Sequence, residues 1–176
     1  MSTDTKYEAL QEIGKRAAES LAEMVAALEC DYDRLEELKG AQSDFNAARE
    51  TPTSGEWHEE FSEDYAELTE LIEAAGECKD REDAGRRIQE DPLSVEVRSG
   101  WYPIGLGEEP TPEEFMILVG TGGPATRIIG ELDNNEPHRA GLQVQDWGRP
   151  WADYTGDAIS CDDLLTYCRC FYFGEG

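Results

Sequence analysis

A chain of 176 residues with 39% hydrophobic content and 16 aromatics can bury a real core, so its acidity is not that of a disordered tail. Forty Asp and Glu against fifteen Lys and Arg give a formal charge of −25. That charge opposes direct contact with nucleic acid or an anionic membrane and makes a basic surface the natural partner.

No stretch approaches the roughly 18 consecutive apolar residues of a membrane span, and polar Met1 to Glu12 lacks signal-peptide character. The expected compartment is therefore the cytoplasm, with Cys30, Cys78, Cys161, Cys168 and Cys170 as reduced thiols.

The chain changes character near Pro92. Residues 1–92 hold 26 acidic and 10 basic residues among helix formers, whereas residues 93–176 hold 14 and 5, with 12 of the 17 glycines. Helices first and strands after predict an α+β fold. The expectation is an acidic helical region over 1–92, built as an antiparallel hairpin, then a small antiparallel sheet with one packed helix over 93–176.

Thr5 and Glu8 have capping-box spacing, and Leu10, Ala17, Leu21, Met24, Leu28, Leu35 and Leu38 recur at helical intervals. With Gly40 as the stop, this predicts one helix about 50 Å long. A polar loop follows to Gly55. Thr53 and Glu56 repeat the capping-box spacing before a second helix, with Trp57, Phe61, Tyr65, Leu68, Ile72 and Ala75 as its apolar stripe and Gly76 as its end. A short third helix is expected around Asp83 to Gln89, stopped by Pro92.

In the second half, strands are expected at Leu93 to Arg98, Phe115 to Val119, Thr126 to Leu132 and Ala140 to Gln145. Gly120 to Pro124 and Asp133-Asn134-Asn135 supply the turns. Ser160 is placed to cap a helix bearing Leu164 and Leu165. Cys168 to Phe173 is read as a closing strand, with Cys168 and Cys170 on one face.

The stretch from Glu56 to Glu77 carries the candidate site. Glu56, Glu59, Glu60, Glu63, Asp64, Glu67, Glu70, Glu73 and Glu77 occur there with no Lys or Arg, covering most of the helix outside its apolar stripe. Like charges four apart destabilise a helix by about 0.2–0.5 kcal/mol per pair, so an all-acidic face calls for a reason. An ordinary solvated helix and salt adaptation are the competing readings. The nine acids recur about every 3.5 Å of helix rise, near the phosphate spacing of a single nucleic-acid strand.

Other motifs carry less. Gly120 to Gly123 lacks the Lys-Ser/Thr ending of a phosphate loop, and Trp57-His58-Glu59-Glu60 is not a two-histidine zinc motif. Ser160 and Asp163 have no aligned histidine, and Cys161, Cys168 and Cys170 fall short of four zinc ligands. No catalytic residue, metal or cofactor is assigned. Trp147, Trp151 and Tyr154 suit either a partner contact or packing over the sheet.

Gly-Thr-Gly-Gly-Pro-Ala-Thr-Arg at 120–127, Asp-Trp-Gly-Arg-Pro-Trp at 146–151 and Leu-Leu-Thr-Tyr-Cys-Arg-Cys-Phe-Tyr-Phe at 164–173 resemble an uncharacterised family carried by phages, prophages and plasmids. In charge alone, the first half is similar to the acidic anti-CRISPR and anti-restriction proteins that mimic DNA. These resemblances imply a non-enzymatic inhibitor that occupies a basic nucleic-acid-binding surface of a host defence complex. Two other classes stay open. A small enzyme or ligand-binding module on the sheet requires Arg127, Arg139, Arg149 and Arg169 to converge on a pocket. A phage structural or assembly protein would use the helical hairpin to oligomerise, and the same hairpin could support a homodimer.

Overall fold

The computed structural model describes residues 3–48, 61–101, 103 and 111–174. Within them lie four helices, then a five-stranded antiparallel sheet, then a fifth helix, which makes the fold α+β.

The single long helix expected up to Gly40 is two helices, α1 (Thr3–Glu29) and α2 (Tyr32–Ala47). Asp31 makes the break: it leaves helical geometry at φ −80°, ψ 87°, and its carboxylate accepts the backbone N–H of Arg34 at 3.0 Å. Aspartate favours such an N-cap over a helix interior because its side chain competes for nearby backbone donors. Gly40 lies inside α2 and does not end it. An interior glycine costs about 1 kcal/mol, which burial of Leu35 and Leu38 on the same helix offsets. The expected polar loop accordingly starts later than Gly40, while the Thr53–Glu56 capping box, Trp57 and the Thr5 side chain lie outside the described residues.

Helix α3 (Ser62–Ala75) ends at Gly76, where φ of +55° suits glycine. Ahead of α4 (Arg81–Glu90), Asp80 accepts the Asp83 backbone N–H at 2.8 Å. No described helix is long and apolar enough to cross a membrane.

Strands β1 (Ser94–Arg98), β2 (Glu114–Gly120), β3 (Ala125–Asp133), β4 (Glu136–Gln145) and β5 (Ala152–Asp153) pair in chain order, each antiparallel to the next. The β3–β4 turn uses Asn134 and Asn135 at φ 51° and 66°, left-handed values that asparagine tolerates. Alternation then sorts the side chains. Phe115, Ile117, Ile128, Leu132, Leu142 and Val144 are buried on one face, and helix α5 (Cys161–Cys168) packs against β4. Gly130 belongs to this face because a Cβ there would come within 2.4 Å of the Phe115 ring.

Ser160 caps α5 as expected, its hydroxyl accepting the Asp163 N–H at 3.0 Å. The closing strand at 168–173 does not form. Cys170 N–H bonds to Tyr167 O at 3.1 Å and Phe171 N–H to Cys168 O at 3.2 Å, so local turns use the donors a strand would offer. Those turns bring Phe173 against Phe115, with ring centroids 4.7 Å apart. The Cys-x-Cys pair is therefore split between a helix end and a turn, and burial pushes the Cys168 thiol up to about 12. Among the described residues, no three potential metal ligands come together.

By packing, the chain divides into a sheet unit, Met1–Val25 with Arg86–Gly176, and a helical unit, Ala26–Gly85. The compositional change at Pro92 coincides with the start of β1, whereas the unit boundaries cut through α1 and α4. In the sheet unit, Gln11 of α1 donates to Asp153 O and accepts from Thr155 N, both at 3.0 Å, and the Tyr154 ring lies over Gly14. The helical unit closes on Leu35, Leu38, Leu68 and Ala75, with Cys30, Tyr32, Phe45 and Leu71 partly buried around them.

Candidate functional site

The helical unit carries 19 acidic and 5 basic residues, a net of −14 over 60 positions; the sheet unit carries 21 and 10, a net of −11 over 116. Charge per residue is thus more than twice as high in the helical unit.

Within this unit α3 does not present the stripe read from its sequence. Leu68 and Ala75 are buried, but Phe61, Tyr65 and Ile72 are 38%, 36% and 47% exposed. The side turned towards α2 is Leu68, Leu71 and Ala75, flanked by Asp64 and Glu67. Arg34 of α2 accounts for the rotation. Its Nη2 lies 2.7 Å from Glu67 and 3.4 Å from Asp64, its Nε donates to Glu67 at 3.1 Å, and its Nη1 bonds Glu37 at 3.0 Å. One guanidinium thus gathers three carboxylates across two helices, a use suited to its planar fork. The hydrogen bonds from Arg34 hold the Glu67 carboxyl below its ordinary range.

The acidic face is consequently smaller than the sequence implies. Asp64 and Glu67 are compensated, which corrects the expectation that repulsion along this helix goes unrelieved. Glu56, Glu59 and Glu60 lie outside the described residues. Glu63, Glu70, Glu73 and Glu77 remain, all exposed and without an ion pair among the described residues. Glu63, Glu70 and Glu73 fall within about 80° of the α3 circumference and span about 15 Å, and Glu77 follows in the turn after Gly76. Their spacing is uneven, so the regular 3.5 Å repeat does not survive on this face.

The second face with chemical character is the side of the sheet opposite its core. The cross-strand pairs Arg98–Glu114 and Arg139–Glu131, the latter at 3.2 Å, form one row across β1 to β4, and Arg127 stands further along β3, opposite Gln143. Together with Met116, Ile129, Gly141 and Gln143 they line a depression of about 740 Å³. Arg127 and Arg139 of the expected four arginines meet there, joined by Arg98; Arg149 and Arg169 do not line it. The three aromatics read as a cluster part company. Trp147 is 75% exposed, Tyr154 packs on α1, and Trp151 lies under the Arg127 guanidinium, 4.1 Å from its centre. Alternating polarity in β3 and β4 marks this face in the sequence; the register that sets Arg127 opposite Gln143 does not appear in it.

No protein-family model, curated protein or solved structure matches the chain.

Proposed function

We propose that this protein is a non-enzymatic inhibitor encoded by a mobile element, and that it occupies a basic nucleic-acid-binding surface of a host defence complex in the host cytoplasm. The observation that carries this reading is the set of exposed, unpaired carboxylates Glu63, Glu70, Glu73 and Glu77 on a unit of net charge −14. Uncompensated carboxylates repel one another, and a basic partner relieves that repulsion on contact. Arg34 supports the reading from the other side: by bridging α3 to α2 it helps to hold the free acids on a packed helix pair, which lowers the ordering cost of binding. The C-terminal motifs that resemble phage and plasmid proteins support a mobile-element origin. Partner attraction of this kind accelerates association and weakens as salt screens it.

The test is phage challenge of bacteria that carry a restriction or CRISPR system and express this protein. Wild-type protein is expected to raise plaquing efficiency. A variant with Glu63→Lys, Glu70→Lys, Glu73→Lys and Glu77→Lys, shown by circular dichroism to keep its helices, is expected to lose that effect. Equal protection by both proteins would contradict the acidic-face reading.

A further inference from the structure

In a chain with 40 carboxylates, the guanidinium of Arg127 directs its hydrogen bonds elsewhere. Arg34, Arg98 and Arg139 each bond carboxylates, whereas the hydrogen bonds of Arg127 go to neutral groups. Its Nε and Nη2 donate to Gln143 Oε1 at 3.0 and 2.8 Å, and its Nη1 approaches Met116 Sδ at 3.5 Å. These contacts use three of its five N–H donors and leave one on each terminal nitrogen, the pair that a carboxylate can span. Trp151 stacks on the guanidinium and fixes its plane.

Gln143 stands between Arg127 and one internal acid: its Nε2 donates to Asp153 Oδ1 at 2.9 Å while its Oε1 accepts from Arg127, so the amide holds the Asp153 carboxylate one residue away. The same contacts fix which way the amide points. Burial and the charge of Arg98 both disfavour the charged form of Arg127, and because arginine stays protonated, that cost is relieved only by an anion. The floor beside it is apolar at Met116 and Ile129. At Gly141 a Cβ would meet nothing within 4 Å, so the depression is open at its centre.

We infer that this face of the sheet is a binding site for a small organic monocarboxylate, gripped end-on by Arg127 with its apolar body over Met116, Ile129 and Gly141. A dianion such as phosphate is disfavoured because Glu96, Glu114, Glu131 and Asp153 line the same depression. The inference is independent of the acidic helical face: the carboxylates invoked there belong to the helical unit and this site to the sheet unit.

The experiment is a titration of the ¹⁵N-labelled full chain with benzoate, with benzamide and inorganic phosphate as comparisons, reading the Arg127 Nε–H and Trp151 indole N–H resonances. Benzoate is expected to saturate both with a Kd of about 1 mM or tighter, and benzamide and phosphate to bind about tenfold more weakly or not at all. Arg127→Lys keeps the charge but loses the fork and the stack; it is expected to weaken benzoate by about tenfold or more. Gly141→Leu fills the open floor while residue 127 stays arginine, and is expected to abolish binding, which decides the matter if Arg127→Lys perturbs the sheet. Three results would overturn the inference: benzamide matching benzoate, no saturable benzoate shift, or unchanged benzoate affinity in the folded Gly141→Leu protein.

Discussion

The two units handle charge in opposite ways. In the sheet unit, arginines and carboxylates face one another across neighbouring strands, as in Arg98–Glu114 and Arg139–Glu131, above a core that includes Ile117, Ile128, Val144 and Phe173. In the helical unit, one arginine serves three carboxylates, and Glu63, Glu70, Glu73 and Glu77 stand exposed beside a core of Leu35, Leu38, Leu68 and Ala75. The sheet unit, although still net negative, thus pairs part of its charge across its own strands. The helical unit is held by a few apolar contacts against its own repulsion, an arrangement that suits a surface awaiting positive charge.

This contrast is sharpened first by core truncation. Ile128 is wholly buried in the sheet core, so Ile128→Ala is expected to cost about 4 kcal/mol in denaturant unfolding. Leu68→Ala in the helical unit is expected to cost less, about 2–3 kcal/mol, because the partly buried Tyr32, Phe45 and Leu71 around it can move into the space. An equal or larger loss at Leu68 would mean that the helical core is as tightly packed as the sheet core.

Next in size is removal of the arginine that organises the hairpin. Arg34→Ala leaves Asp64, Glu67 and Glu37 facing one another, so the melting temperature is expected to fall at low salt and to recover as salt is added. Arg98→Ala, which breaks one exposed cross-strand pair, is expected to cause a smaller and less salt-sensitive fall.

The smallest effect is the acid limb of stability. The folded-state pKa of Glu67 is depressed by its hydrogen bonds from Arg34, so its contribution is present above the ordinary carboxylate range and is lost as pH falls through the depressed value. NMR titration is expected to find Glu67 protonating at lower pH in the wild type than in Arg34→Ala. Coincident titrations would mean that the ion pair does not persist in solution.

Much of the sheet was legible in the sequence because its signals are local. Alternating residues, Asn134-Asn135 and the Ser160 cap each act within a few positions of themselves. The structure departs from its sequence signals where one residue's preference meets a neighbour's packing. Asp31 is a residue type suited to a cap, but the unbroken apolar spacing on either side conceals the break between α1 and α2. The strand expected at Cys168 to Phe173 has the right residue types, yet their backbone donors are taken by turns at the end of α5. For the candidate site, the acids of α3 were plain, but the reach of Arg34 across 33 residues to Glu67 was not. That contact decides which carboxylates are free. It removes Asp64 and Glu67 from the face and leaves Glu63, Glu70, Glu73 and Glu77 as the described residues to alter.

The central claim is that those four carboxylates meet a basic nucleic-acid-binding surface, and affinity capture tests it most directly. Immobilised wild-type protein and the Glu63→Lys, Glu70→Lys, Glu73→Lys, Glu77→Lys variant are exposed to bacterial lysate at low salt, and the retained proteins are eluted first with competing double-stranded DNA and then with high salt. The account expects the wild type to retain a defence nuclease or its effector complex, DNA to release it, and the variant not to hold it. Retention of the same partner by the variant, or a partner that DNA cannot displace, would contradict it.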